Sequence, residues 1–418
     1  MSRFLRITGA TLFIALIIFA VIVAFNHQQA SRLYSTMTLF DKDKVVHNFS
    51  HMDEIFLTKP IKRSGAVFEF DHSPSDLPGN FTYRGETVAT DEFLSRRATT
   101  ALLVIKDDKI NFERYYQGTG ENDLRISWSM AKSFTVSLFG IAVHDGLIDI
   151  DAPVEKYLPE MTGSGYEGVP VRDVLQMSSG VMWNEDYGDF HSDINRMGRI
   201  LAIGGSLDDF TTTLVNEKPS GQEFHYVSMD THIISMIARR VTGKSLIQQA
   251  EDHLWSRIGM ESDAHWLTDS EEAEFALGGL NVRTRDYARF GRLYLRQGNW
   301  NGEQVIPKAW ITAVTTPSSD YNRPGPGKFG YGFQWWLAPG ARHGEFFAVG
   351  VYGQYIYINR PENMIIVKNS ADLNFMEARN SKHETISFFR AIVDLLHEGA
   401  EDKDTGQKLA NKGTKAAP

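Results

Sequence analysis

Ile126-Ser127-Trp128-Ser129-Met130-Ala131-Lys132-Ser133-Phe134-Thr135 is the stretch on which the reading of this chain turns. Ser129 and Lys132 stand three residues apart, and the apolar positions Met130, Phe134, Leu138, Ile141 and Ala142 recur at helical spacing until His144-Asp145-Gly146 supplies a stop. That spacing is close to one helical turn, so hydroxyl and amine share a face and the amine can take the hydroxyl's proton to make a nucleophile. A helix start also gathers free N–H groups and the positive end of the dipole, which favour an oxyanion beside the hydroxyl. Alone the pair says little, because chance supplies about one Ser-x-x-Lys in a chain like this. The sequence contains only this one.

Outward from this helix, the runs Thr99 to Ile105 and Ile110 to Tyr116 flank Asp107-Asp108-Lys109 and predict a β-hairpin. From about 151 to 315 the pattern is mostly helical, with helices over Val171 to Met177, Asp230 to Val241, Leu246 to Ile258 and Thr284 to Arg296. Short apolar runs return at Tyr331 to Leu337, Glu345 to Val349, Gln354 to Asn359 and Met364 to Lys368, and a helix follows from His383 to His397. Strands early and late with helices between predict an α+β fold: an antiparallel sheet built from both chain ends, flanked by helices, with a mostly helical insertion. The expected divisions are a stalk and entry segment over 26–90, a folded domain over 91–398, and a charged, disordered tail over 399–418.

At 418 residues and 42% hydrophobic, the chain can bury a large core. A net charge of -9 without a large basic cluster excludes a general nucleic-acid binder. No cysteine means no thiol nucleophile, thiolate metal site or disulfide. Ile7 to Phe25 carries no charge, follows Arg3 and Arg6, and as a helix would span about 28 Å, so residues 7–25 read as a membrane anchor. Residues 1–6 then stay in the cytoplasm and the remainder is exported to the periplasmic or extracytoplasmic side. A cleaved signal peptide is the alternative, but no clear Ala-x-Ala site follows.

A Ser-Lys pair needs a third group to pass protons to the leaving group, and a phenol serves if nearby cations stabilise its phenolate. Tyr226, at the boundary between a turn-rich loop and a predicted helix, is the candidate. Taken alone it reads more readily as a packed tyrosine with a hydrogen-bonded tip, as most of the 15 tyrosines must be. Several decoys carry no chemistry. Gly325-Pro326-Gly327-Lys328-Phe329-Gly330 lacks the strand–helix context of a phosphate loop, His47 and His51 lack a third ligand, and Trp335-Trp336 reads as sheet core. No cofactor or metal site is indicated.

The Ser129 stretch, with Gly146-Leu147-Ile148-Asp149-Ile150-Asp151-Ala152-Pro153-Val154, resembles the nucleophile segment of the serine β-lactamase-related family, which includes class C β-lactamases, penicillin-binding carboxypeptidases, family VIII esterases and 6-aminohexanoate-dimer hydrolases. Further similarities follow in order: Val174 to Gly180 with the family's LLxMxSG segment, Tyr226-Val227-Ser228 with its Tyr-x-Asn or Tyr-x-Ser element, Gly278-Gly279-Leu280 with Thr284 to Gly291, and Gly350 to Gln354. The resemblance covers roughly three quarters of the chain. It implies a β-lactamase/transpeptidase-like fold, Ser129 as acylated nucleophile, Lys132 as proton acceptor and Tyr226 as acid/base group, the last two coupled.

Two departures narrow the substrate. Where penicillin-recognising members carry a cation for the substrate carboxylate, this chain reads Ala348-Val349-Gly350, and Ala348 cannot form that ion pair. His343-Gly344 looks like a turn ahead of that strand. Ser228 replaces a common Asn and loses an amide that both donates and accepts. Both departures favour the esterase and 6-aminohexanoate-dimer hydrolase branches; Trp183-Asn184-Glu185-Asp186-Tyr187 resembles the latter, which implies that Tyr187 contacts the substrate amide. A tyrosine packed on that loop is the alternative. The resemblance places the oxyanion hole at the N–H of Ser129 and one near Val351, and puts Ser228, Ala348 and Gly350 beside the substrate. The expected partner is a small ester or amide. A D-alanyl carboxypeptidase or β-lactamase, and a non-catalytic membrane-tethered binding or sensor protein, are the alternatives; oligomeric state is open.

Overall fold

The computed structural model describes residues 31–340, 342–376 and 381–413. Its central sheet has eight strands in the order Gly330–Tyr331, Trp336–Leu337, Glu345–Gly350, Gln354–Asn359, Met364–Ser370, Thr99–Lys106, Lys109–Tyr115 and Asp71–His72. Both ends of the chain therefore build it, and the seam is antiparallel, from Met364↔Lys106 to Ser370↔Thr99. Among the described residues the one parallel pair is Asp71–His72 on Lys109–Tyr115, at the sheet edge. The run Tyr331 to Leu337, expected as one strand, is two short strands folded on each other with Gly330 opposite Leu337.

The central strands are apolar on both faces, because each face is covered. Leu103, Ile105, Ile356, Ile358, Ile365 and Val367 point into the larger core with Tyr287, Phe290 and Leu293 of the helix Thr284–Leu295 and Phe134 of the helix Ala131–His144. Their neighbours Leu102, Val104, Tyr355, Tyr357 and Ile366 point the other way, onto Phe388, Phe389, Ile392 and Val393 of the C-terminal helix Ser381–Gly413. The period of two thus sorts adjacent residues into separate cores. Between the early and late strands lie the helices Val171–Leu175, Asp193–Ile203, Leu207–Thr212, Ser228–Thr242, Leu246–Ala250 and Lys308–Val314.

This intervening region is less purely helical than expected. It carries Ala264–Leu267 and Leu280–Arg283, which join Thr58–Ile61 and Leu124–Ile126 in a second, four-stranded sheet. Strands of four residues are too short to show a period against helical neighbours.

Two boundaries need correction. The segment 26–90 is not a stalk from residue 31 onward. Thr58–Ile61 pairs with Ala264–Leu267, and Leu39, Val45, Phe49, Met52, Ile55, Ile61 and Phe70 are buried in the larger core. Their spacing follows no single period because distant elements supply the surfaces they meet. At the other end the C-terminal helix continues to Gly413 through residues expected to be disordered. Glu, Lys, Gln, Leu and Ala there all favour a helix. The predicted anchor, 7–25, lies outside the described residues, among which no helix is long and apolar enough to cross a membrane.

Candidate active site

Ser129 lies in a 3-10 turn, Trp128–Met130, that feeds directly into the helix Ala131–His144. Trp128 just before it adopts a left-handed φ of 43°, a conformation that costs a bulky residue energy and needs support from its surroundings. Support comes from three rings: Phe49 at 5.5 Å, Tyr352 at 5.7 Å and Phe40 at 6.2 Å between centroids. Two of the three belong to the segment read as a stalk. Strand Glu345–Gly350 closes the other side, and only a glycine fits at its end, since a Cβ on Gly350 would stand 2.3 Å from the Ser127 carbonyl oxygen.

One turn on, Lys132 is buried and donates to the Ser228 hydroxyl at 3.2 Å and to the Leu277 carbonyl at 3.0 Å. Burial pulls its ammonium down to about 7, against the opposing pull of Glu185 and Asp230. A lysine at that value is about half neutral near pH 7, so it can accept a proton. The Tyr226 phenol meets the Ser129 hydroxyl, and the Lys132 nitrogen sits 5.4 Å from the Tyr226 ring centroid. Burial first and then the Glu185 charge push this phenol well above its ordinary range. The expected phenolate is therefore not the resting form: the lysine is tuned toward a base, and the tyrosine rests protonated, with a proton to give.

Behind them Glu185 gathers donors. Its carboxylate accepts from Ser228 Oγ at 2.7 Å, from the Tyr187 hydroxyl at 2.8 Å and from the Trp183 indole N–H. Ser228 thus relays between Lys132 and Glu185. The cleft in front has a volume of about 430 Å³. Ser129, Tyr226, Tyr187, Glu185, Gly350 and Val351 line one part, and Phe329, Trp336, Val349, Phe375, Met376, Ser381, Lys382 and His383 complete the wall.

A β-lactamase family profile matches residues 89–387. The chain belongs to the β-lactamase family. It is a serine hydrolase. Over 355 residues it is 30% identical to a 6-aminohexanoate-dimer hydrolase of Paenarthrobacter ureafaciens, covering 80% of this chain and 88% of that one. A candidate 6-aminohexanoate-dimer hydrolase from Bacillus anthracis superposes with a TM-score of 0.77 at 26% identity, over 87% of this chain and 96% of that one. A class C β-lactamase shares the fold, with a TM-score of 0.55 at 16% identity over 73% of this chain and 93% of that one.

Within this β-lactamase-family cleft the structure brings together Ser129, Lys132, Tyr226, Tyr187, Ser228, Gly350 and Val351 from four separate stretches of sequence. Ser228 stands behind the cleft wall as a buried link. Ala348 is the exception. Strand alternation turns it into the larger core, and its neighbour Val349 faces the cleft. The Trp335-Trp336 pair divides in the same way: Trp335 is core, whereas Trp336 lines the cleft and stacks on Tyr226 at 5.8 Å. His343 lies in a turn ahead of its strand, as expected.

Glu185 and Lys382 were missed. Glu185 sits in the quoted Trp183 to Tyr187 stretch, where a carboxylate between two aromatics was the available signal. Lys382 had none, because a lysine at a helix start reads as a solvated residue. The Gly278-Gly279-Leu280 landmark gains a physical role: Leu277 and Gly278 accept from Lys132 and from Ser127 Oγ, the latter at 3.4 Å.

Proposed function

We propose that this protein hydrolyses small linear amides or esters through an acyl-enzyme on Ser129. The observation that carries the reading is the buried Lys132 amine, brought to about 7 one turn after a serine whose hydroxyl also meets a phenol. Neutral Lys132 takes the Ser129 proton as Oγ attacks the carbonyl carbon. The oxyanion is held by the N–H of Ser129 and that of Val351, which the tight fit at Gly350 keeps near the serine turn. Tyr226 gives its proton to the departing amine or alkoxide, and the Lys132 ammonium reprotonates Tyr226. In deacylation the roles repeat: a water loses its proton to neutral Lys132 as its oxygen bonds to the acyl carbon, Ser129 leaves with the Tyr226 proton, and the Lys132 ammonium reprotonates Tyr226. Tyr187, fixed by Glu185, faces the scissile amide.

Similarity to a 6-aminohexanoate-dimer hydrolase supports linear amides as the substrate class. Residues 7–25 anchor the enzyme in the inner membrane with its cleft on the extracytoplasmic side, a reading that rests on the uncharged apolar run behind Arg3 and Arg6. Protease added to spheroplasts should degrade the domain, and its protection there would contradict that orientation. Hydrolysis of 6-aminohexanoate dimer or a p-nitrophenyl ester by the wild type, lost in Ser129→Ala, tests the catalytic reading. Turnover that survives Ser129→Ala refutes it.

A further inference from the structure

Lys382 is an ammonium on the cleft wall, and no carboxylate among the described residues pairs with it. It sits at the second position of the C-terminal helix, and every neighbour in that turn is fastened elsewhere. Ser381 Oγ donates to the Phe375 carbonyl at 2.9 Å, the His383 ring meets the Gly327 carbonyl at 3.1 Å, and Glu384 is held by Arg96 and Arg97. The Lys382 nitrogen points instead between aromatic faces, 4.1 Å from the Trp336 ring centroid and 5.3 Å from that of Phe329. Among the described residues no hydrogen bond or ion pair engages it. The other charged side chain lining the cleft, Glu185, already accepts from three side chains.

Ring faces compensate only part of the cost of drawing an ammonium out of water, and a buried cation ordinarily has an anion beside it. Here burial alone pulls the group down to about 8, which leaves it mostly charged at neutral pH. A firmly positioned cation facing the same cleft as Ser129, backed by apolar walls and short of an anion, is a receptor for one.

We propose that Lys382 binds a carboxylate carried by the substrate, so that the cleft selects linear amides or esters with a free carboxylate at one end. This deepens the Ser129 reading and rests on it. An ammonium–carboxylate hydrogen bond in such a setting discriminates acid from neutral ester by at least about tenfold.

The test reads binding without turnover. Full-chain Ser129→Ala protein is titrated calorimetrically with 6-acetamidohexanoate and with its methyl ester. The acid should bind at least about tenfold tighter. That preference should collapse to about one in Ser129→Ala/Lys382→Met, which keeps the stem packed on Trp336, and should survive in Ser129→Ala/Lys382→Arg. Equal or undetectable binding of both compounds, or a preference that Lys382→Met leaves intact, overturns the inference. Because no hydrolysis is measured, failure here is separate from failure of the Ser129 reading, which fluorophosphonate labelling of the wild type judges on its own.

Discussion

Gly350→Ala is the sharpest perturbation of the geometry described above. An added Cβ would lie 2.3 Å from the Ser127 carbonyl oxygen, 3.0 Å from Trp128 Cβ and 3.2 Å from Gln354 Cβ. The nearest of these contacts is backbone and cannot rotate away, so strand and serine turn must separate by roughly 1 Å to reach ordinary carbon–oxygen contact. Overpacking of this kind costs about 1–3 kcal/mol of stability. The catalytic cost is larger. The displaced strand end carries the Val351 N–H assigned to the oxyanion, and a displacement of about 1 Å lowers kcat by on the order of a hundredfold. Steady-state hydrolysis of a p-nitrophenyl ester, with urea unfolding in parallel, separates the two effects. A folded Gly350→Ala enzyme with kcat within about twofold of wild type would refute the claim that this contact sets the oxyanion geometry.

Two further outcomes follow from the same geometry. Since Lys132 must be neutral to accept the serine proton and is pulled to about 7, kcat/KM should rise with pH through an apparent pKa near 7. Glu185 opposes that pull, so Glu185→Gln should move the limb to lower pH; a limb near the ordinary lysine value, or one moving upward, contradicts the assignment. Phe49→Ala should cost about 3–5 kcal/mol in urea unfolding, as for a core phenylalanine, and should depress activity by releasing Trp128. Met37→Ala, at a position 75% exposed, should stay within about 0.5 kcal/mol of wild type. Equal, negligible effects at both positions would return the segment to a stalk.

The residues most legible in the sequence were those whose chemistry and spacing coincide locally. Ser129 and Lys132 share a helical turn and so carried their own signal, whereas Tyr226, at a helix boundary, was singled out by the pair's need for a third group and by the ordered family motifs. The long central strands were equally plain, because runs such as Met364 to Val367 are apolar throughout. What stayed hidden depends on which way a side chain faces or on what meets it from far along the chain. Ala348 and Val349 differ only by strand parity, and that parity decides which enters the cleft. Phe40 and Phe49 fell within the segment read as a stalk because their partners, Trp128 and Tyr352, lie far away in sequence. Lys382 is recognisable only once Trp336 and Phe329 are folded around it. The phenolate expected at Tyr226 failed for an energetic reason: the Ser129 hydrogen bond favours it, but burial and the Glu185 charge outweigh that bond.

The central claim is that Ser129 carries the acyl group. Intact-mass spectrometry of the protein after reaction with a fluorophosphonate, followed by peptide mapping, tests it most directly. One phosphonyl adduct on the peptide containing Ser129, absent from Ser129→Ala and formed more slowly as pH falls below about 7, is the predicted result. An adduct on another residue, or labelling undiminished in Ser129→Ala, would contradict it.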